Sequence, residues 1–333
     1  VAGDGTLIQN TVMRLLPALP LERIFIVTTL ELAPMVQDQL PMIPADNILC
    51  EPFGRNTAPC LALSTAMLRH RFGDETVCIA LPSDHVIYNV REFQVVLDRA
   101  CTAAETHDGI VTIGVSPTRP EPGFGYIQVG DDVDTDNPLL RGYVKSVTTF
   151  AEKPDVATAQ RFIDAGDFVW NSGIFVARLG QLKASVDTHM PDHAPLFTML
   201  DRHVGEESFI ELTDMVYRQL RSVSFDKAVL EHAQNVIVVE GTFGWSDVGT
   251  WDEIYRLSMK DGRNNVVEGN VITINTTNSY VSGASGRMIS LIGIDNLIVV
   301  ETESTTMICP RGEAEQVRDL VDLLRRRNMM RNI

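Results

Sequence analysis

Basic residues are scarce in this sequence: 28 lysines and arginines stand against 44 aspartates and glutamates, for a net charge of −16. So acidic a surface repels phosphate backbones, which excludes a general nucleic-acid binder. Small phosphorylated ligands remain open, because a few lysines, helix N-termini and a divalent cation can hold them. Cysteine is sparse too. Cys50, Cys60, Cys78, Cys101 and Cys309 are widely spaced and mostly set among apolar neighbours, with no CxxC or Cys/His cluster to bind zinc. Reduced, buried thiols in a cytoplasmic protein are the expectation. Long apolar runs are missing as well. No stretch reaches the length of a membrane span, and the start lacks a basic region followed by an apolar signal core, so no membrane partner is expected.

What is present is an ordinary globular composition, 44% hydrophobic and 22% charged, long enough for one large domain and a small one. Over the first two hundred residues strand-like and helix-like segments alternate. RIFIVTT (23–29) reads as a strand, APCLALSTAMLRHRF (58–72) as a helix, TVCIALP (76–82) as a strand, VREFQVVLDRACTAAETH (90–107) as a helix and GIVTIGV (109–115) as a strand. This succession predicts a mostly parallel sheet with helices on both faces. A Pro- and Gly-rich stretch from 117 feeds antiparallel strands, VWNSGIFVA (169–177) is a strand with a polar interruption, and 178–235 is largely helical. After about residue 258, Val271–Ile274, Ile289–Ile292 and Met307–Cys309 recur every 18 residues, as do Tyr280-Val281 and Ile298-Val299. A β-helical coil needs such a repeat, and a small β-sandwich would read similarly. An amphipathic helix, 313–328, closes the chain. The domains are therefore set at 1–257 and 258–333.

Six stretches carry polar groups where chemistry needs them. After the apolar run 77–81 come Pro82, Ser83, Asp84 and His85, either a plain polar loop or a site at a strand's carboxyl end, where open α/β sheets bind ligands. In EPFGRNTAPC (51–60), Asn56 or Thr57 serves as a helix N-cap or as part of a loop that meets a purine edge. Glu152 and Lys153 in FAEKP form either a solvated edge or a pair whose acid accepts from sugar hydroxyls while its ammonium meets a phosphate. PGFGYI (122–127) offers close backbone approach, and WNSGIF (170–175) places Asn171 and Ser172 where burial demands partners. In GWSDVGTW (244–251), Asp247 makes an Asx-turn or supplies a second carboxylate; with Asp84 it would suit an octahedral Mg²⁺ site.

Taken in order, LPSDH, GFGYI, FAEKP, WNSGIF, SVSFDKAVLE and GWSDVGTW closely resemble bacterial mannose-1-phosphate guanylyltransferases, over nearly the whole chain. The resemblance implies a Rossmann-like, mixed-sheet nucleotidyltransferase (GT-A-like) α/β domain, a short left-handed β-helical domain with its C-terminal helix, and a homodimer. It also implies GTP and mannose 1-phosphate as substrates, GDP-mannose and pyrophosphate as products, and Mg²⁺ as cofactor. By the same carry-over Asp84 and Asp247 bind the metal, and Asp84, Asp247 and Lys153 are catalytic. The nucleotide meets Gly3, Asn56, Thr57, Pro82, Ser83 and Asp84, while the sugar meets Gly125, Glu152, Lys153 and Asn171. His85 is expected to pack or hydrogen-bond behind Asp84, and Asp226 to support the metal site or the fold.

One departure concerns the family's glycine-rich signature. Val1-Ala2-Gly3 opens like it but leads straight into DGTLIQNTVMRLL, so the phosphate-cradling loop, with its arginine and the following lysine, is expected either in a segment passed over between about Gly3 and Gly5 or to have been lost by truncation. Guanylyltransferase activity alone is expected, without the isomerase domain of some relatives. Two alternatives stay open: the same chemistry on another base or sugar, and a non-catalytic sugar-nucleotide-binding regulatory subunit.

Overall fold

Thr6 caps the first helix, α1 (Leu7–Leu15), in a reciprocal capping box with Gln9, in a computed structural model that describes residues 5–16, 18–284, 286–329 and 331. The chain divides into two units, one ending at Trp245 and the other beginning at Ser246. In the first, β1 (Ile26–Thr29) and β2 (Ile48–Glu51) pair in parallel around α2 (Ala33–Gln39). Then follow α3 (Thr57–Phe72), β3 (Val77–Ala80), β4 (Val86–Ile87), α4 (Val90–Thr106), β5 (Ile110–Val115), β6 (Gly125–Asp132) and β7 (Val144–Glu152). The unit continues through α5 (Val156–Ala165), β8 (Phe168–Arg178), α6 (Leu179–His189), α7 (Ala194–His203), α8 (Phe209–Tyr217), a π-helical turn over Asp226–Leu230, and β9 (Val236–Gly241).

Six of these strands form one sheet in the order β3-β8-β5-β9-β7-β6, with β6 also meeting β8. Strands β3, β5 and β9 run the same way, as the strand–helix alternation predicts, and β5 pairs with β9 in parallel. The expectation of a mostly parallel sheet needs correction, because β8 enters antiparallel between β3 and β5. Its side chains explain the placement. Trp170, Ile174 and Val176 join a core that α4 covers with Phe93, Val96 and Ala100, while Phe175 and Ala177 join a second core with Leu63, Leu182 and Phe197. A strand apolar on both faces buries more surface in the middle of a sheet than at its edge.

The polar interruption in β8 is a bulge. From Asn171 to Phe175 the strand advances four residues while β5, from Gly114 to Thr112, advances two. Gly173 supplies the left-handed backbone, at φ 71°, that this irregularity needs. The groups it leaves unpaired are met locally. Ser172 Oγ donates to the Ile113 carbonyl at 2.6 Å and accepts from the Ile174 N–H at 3.3 Å, and Asn171 Oδ1 accepts from the Gly173 N–H at 3.2 Å.

The second unit contains β10's Ser246 (β10, Trp245–Ser246), α9 (Trp251–Leu257), β11 (Val266–Gly269), β12 (Val271–Ile274), β13 (Tyr280–Gly283), β14 (Ile289–Ile292), β15 (Leu297–Glu301), β16 (Thr306–Pro310) and α10 (Val317–Arg326). Residues 246–257 belong with it because Trp251, Ile254 and Tyr255 of α9 pack on Val266, Tyr280 and Ile298. The 18-residue rhythm is real for two coils: Val271 lies beside Ile289, and Tyr280 beside Ile298, in parallel register. Corners repeat at the same interval, with left-handed backbone at Asn275 and Gly293 and again at Asn278 and Asn296. The third recurrence, Met307–Cys309, does not continue the coil. It lies in β16, which folds back antiparallel on β15.

The bulge yields the first prediction. Ser172→Ala leaves a buried carbonyl and a buried N–H without their partner and is expected to cost about 1–3 kcal/mol, read as a lower urea midpoint at unchanged m-value. An unaltered midpoint would show that Ser172 does not hold the bulge.

Candidate active site

Gly125 and Glu152 stand opposite each other where β6 meets β7. A Cβ on Gly125 would lie 2.7 Å from Glu152 Oε2 and 3.3 Å from Asn171 Cβ, so the glycine makes room for both side chains. The Glu152 side chain is only 8% exposed, against 56% for Lys153, and the two are paired at 2.8 Å. Lys153 takes a left-handed backbone, φ 52°, which its N–H secures by donating to the Phe124 carbonyl at 3.2 Å. The amide of Asn171 is oriented by its neighbours. Its Oδ1 accepts from Thr112 Oγ1 at 3.2 Å and from the Gly173 N–H, so its Nδ2 is the donor to Asp226 Oδ1 at 2.7 Å. Burial and the nearby Glu152 push the Asp226 carboxyl above the usual range, opposed by the Asn171 hydrogen bond and by Lys153. Sheltered acceptors, a directed amide and an accessible ammonium thus share one end of the sheet, a set suited to hydroxyl groups beside an anion.

The loop after β2 is fastened to the chain segment 217–225. Tyr217 donates its hydroxyl to Glu51 Oε1 at 2.9 Å, and Arg55 Nε donates to the Tyr217 carbonyl at 3.2 Å. Further along, the Ala58 N–H donates to the Val223 carbonyl at 3.1 Å, and the Phe225 N–H to Thr57 Oγ1 at 2.8 Å. Asn56, at φ 71°, caps α3 by accepting from the Thr57 N–H at 2.8 Å. Burial raises the Glu51 carboxyl, although hydrogen bonds from Tyr217 and Cys60 draw it down, and burial beside Glu51 pushes the Cys60 thiol up to about 12. Asn56 and Thr57 are both exposed at the end of this braced loop.

Asp84 follows the carboxyl end of β3 and is exposed, like Ser83. The loop is held from α1: Thr11 Oγ1 donates to the Ser83 carbonyl at 3.1 Å and Arg14 Nη2 to the His85 carbonyl at 2.8 Å. His85 is buried, and its Nδ1 accepts from Trp245 Nε1 at 3.0 Å, which leaves its proton on Nε2. Desolvation holds this imidazole down to about 4, with Asp84 acting in the opposite sense. Trp245 in turn contacts Phe124, ring centroids 5.0 Å apart, and Phe124 contacts Trp170 at 5.1 Å. An aromatic wall therefore backs the loop.

In the second unit Asp247 makes the Asx-turn, its Oδ1 accepting from the Gly249 N–H at 3.1 Å. Val248 has φ 51°, a strained value for a β-branched residue. Ser246 Oγ steadies it, accepting from the Val248 N–H at 3.1 Å while donating to Glu253 Oε1 at 2.5 Å, and Arg256 pairs with Glu253.

The first unit thus brings Gly125, Glu152, Lys153 and Asn171 together. Asn56 and Thr57 lie on the braced loop, and Pro82, Ser83 and Asp84 on the loop after β3. Asp247 belongs to the other unit, and Gly3 lies outside the described residues. Thr112 and Tyr217 carry no sequence signal, one within an apolar strand and the other at a helix end. Asp226 joins the group around Glu152 and Asn171 through a contact 55 residues distant along the chain.

This is an α/β domain with polar side chains gathered at the ends of its strands, the place where open α/β sheets generally bind ligands. Residues 1–264 match the family described as Nucleotidyl transferase, and residues 269–324 match the MannoseP isomerase/GMP-like beta-helix domain. The chain belongs to the nucleotidyl transferase family. It is 35% identical over 327 residues to the alginate biosynthesis protein AlgA of Pseudomonas syringae pv. tomato, with 97% of this chain and 66% of that protein covered. To the mannose-1-phosphate guanylyltransferase of Salmonella muenchen it is 32% identical over 335 residues, covering 98% of this chain and 68% of that one. The chain thus spans about two-thirds of the length of these relatives. A solved structure described as mannose-1-phosphate geranyltransferase from Thermus thermophilus superimposes with a TM-score of 0.83 at 29% identity, covering 96% of this chain and 89% of that one. Enzymes of this family generally use a divalent metal, a nucleoside triphosphate and a sugar phosphate.

Gly125→Ala is expected to push the Glu152 carboxylate aside. Affinity for a sugar phosphate should fall at least tenfold, about 1.4 kcal/mol, by calorimetry, with thermal unfolding little changed. Unchanged affinity would remove Glu152 from the site.

Proposed function

We propose that this protein transfers GMP from GTP to α-D-mannose 1-phosphate, giving GDP-mannose and pyrophosphate. The observation that supports this most is the convergence of Glu152, Lys153 and Asn171 around Gly125, in a chain of the nucleotidyl transferase family. An oxygen of the sugar phosphate forms a bond to the α-phosphorus of GTP as the α–β bridge breaks, and pyrophosphate carries away the electron pair. The attacking phosphate is already ionised near neutral pH, so alignment and charge neutralisation are the catalytic tasks.

In this reading Lys153 holds the sugar phosphate. Glu152, Asn171 and the backbone at Gly125 take the mannose hydroxyls. Asn56 and Thr57 face guanine, and Pro82, Ser83 and Asp84 line the nucleotide's phosphates. Asp84, on the first unit, and Asp247, on the second, are each read as a carboxylate ligand of Mg²⁺. A carboxylate with phosphate oxygens and water suits that cation, and the Asp84 carboxylate has no hydrogen bond or ion pair to a described residue. When bound, the cation supplies neutralisation of the crowded phosphate charge. The protein acts as a homodimer in the cytoplasm, and no described helix is long and apolar enough to cross a membrane.

The test is pyrophosphate release with GTP and mannose 1-phosphate, with and without Mg²⁺, against a panel of other nucleoside triphosphates and sugar phosphates. Release preferring another pair would overturn the substrate assignment. Lys153→Ala should raise KM for mannose 1-phosphate and leave that for GTP nearly unchanged; an unaltered dependence on the sugar phosphate contradicts its role. Asp247→Asn retains an Oδ1 for the Asx-turn and should cut turnover several hundredfold at saturating Mg²⁺, about 3–4 kcal/mol. Near-normal turnover would dismiss Asp247 as a ligand.

A further inference from the structure

Two adjacent residues touch both halves of the first unit's site. The Phe225 N–H donates to Thr57 Oγ1, on the loop after β2, at 2.8 Å. The next side chain, Asp226, accepts at 2.7 Å from the amide of Asn171, beside Glu152 and Lys153. Little slack separates these bonds. Phe225 is fully buried in the core with Phe175, ring centroids 5.4 Å apart. Asp226 opens the π-helical turn, its carbonyl accepting from the Glu231 N–H at 3.0 Å. π-helical turns are rare and concentrate at functional positions. The loop after β2 is tied to the same segment at the Tyr217 carbonyl, Val223 and Phe225, so a displacement of that loop is carried to residue 226 by packed backbone.

We infer that Phe225–Asp226 is a mechanical link between the two subsites, and that Asp226 and Thr57 are positioning residues at its ends. The inference rests on the reading of those subsites as nucleotide and sugar-phosphate sites. A base settling against residues 51–57 fixes Thr57, which fixes the Phe225 amide and with it the Asp226 carboxylate. Asp226 then holds the Asn171 amide with its second N–H turned toward the sugar. Since coupling between sites is reciprocal, sugar phosphate bound first tightens the nucleotide loop by the same factor. Two ligands that each order a shared segment bind cooperatively without a large structural change.

The experiment measures coupling directly. Calorimetry gives the Kd of mannose 1-phosphate with and without the saturating α,β-methylene analogue of GTP, in Mg²⁺, because that analogue cannot release pyrophosphate. In the wild type the analogue is expected to tighten mannose 1-phosphate about fivefold or more. Thr57→Val removes the acceptor for Phe225 while keeping the side chain's shape, and should bring the ratio toward one. Asp226→Ala should do the same, and Thr57→Ser, which restores the hydroxyl, should recover the coupling. Circular dichroism and melting verify that each variant is folded; a variant that does not fold is replaced by Asp226→Asn, for which a smaller ratio than wild type is expected. A ratio of one in the wild type, or an undiminished ratio in folded Thr57→Val and Asp226→Ala, overturns the link. Wild-type protein that binds only one of the two ligands refutes the substrate reading, and the link with it.

Discussion

Strand β8 has to cross the middle of a sheet, between two apolar cores, and still deliver polar groups to its end. The bulge at Ser172-Gly173 makes this possible, because Ser172 and Asn171 bond the backbone that the irregularity opens. The same bonds fix which way the Asn171 amide points. An unpaired amide in such surroundings would cost about 1–3 kcal/mol. Fold and site therefore share their hydrogen bonds: what satisfies the strand also aims the side chain at Asp226, and through it at Glu152 and Lys153.

Left-handed backbone also occurs in the polar loops. Asn56, Lys153 and Val248 all have positive φ, at 71°, 52° and 51°, and each lies in one of the polar loops. Each is held by a nearby bond: the Asn56 side chain to the Thr57 N–H, the Lys153 N–H to the Phe124 carbonyl, and the Val248 N–H to Ser246 Oγ. Strain of this kind, of order 1–3 kcal/mol per residue, persists only where the surroundings over-determine it. The loops are thus braced before any ligand arrives, which lowers the ordering cost of binding.

Much of this was legible from residue pattern. The helices over 57–72 and 90–106 and the strands at 77–80 and 110–115 follow from helical spacing, short β-branched runs and caps. The direction of β8 was not, because an apolar strand looks the same whichever way it runs; only the pairings with β3 and β5 reveal it. Periodicity likewise revealed two coils but misread the third. Met307–Cys309 keeps the interval yet belongs to a reversed strand, since spacing carries no sign of direction. In the site, the glycine, acid–lysine and Asn-Ser motifs marked themselves by odd polarity. Thr112 and Tyr217 did not, because their roles come from partners 59 and 166 residues away, Asn171 and Glu51.

The reversal at β16 has a bearing on solubility. Parallel coils stacked in one register end in an open row of backbone donors and acceptors, which could recruit a strand from another molecule. By turning back along β15 from Leu297 to Glu301, the chain occupies that row with its own residues. It thus shields one side of the coil against edge-to-edge aggregation.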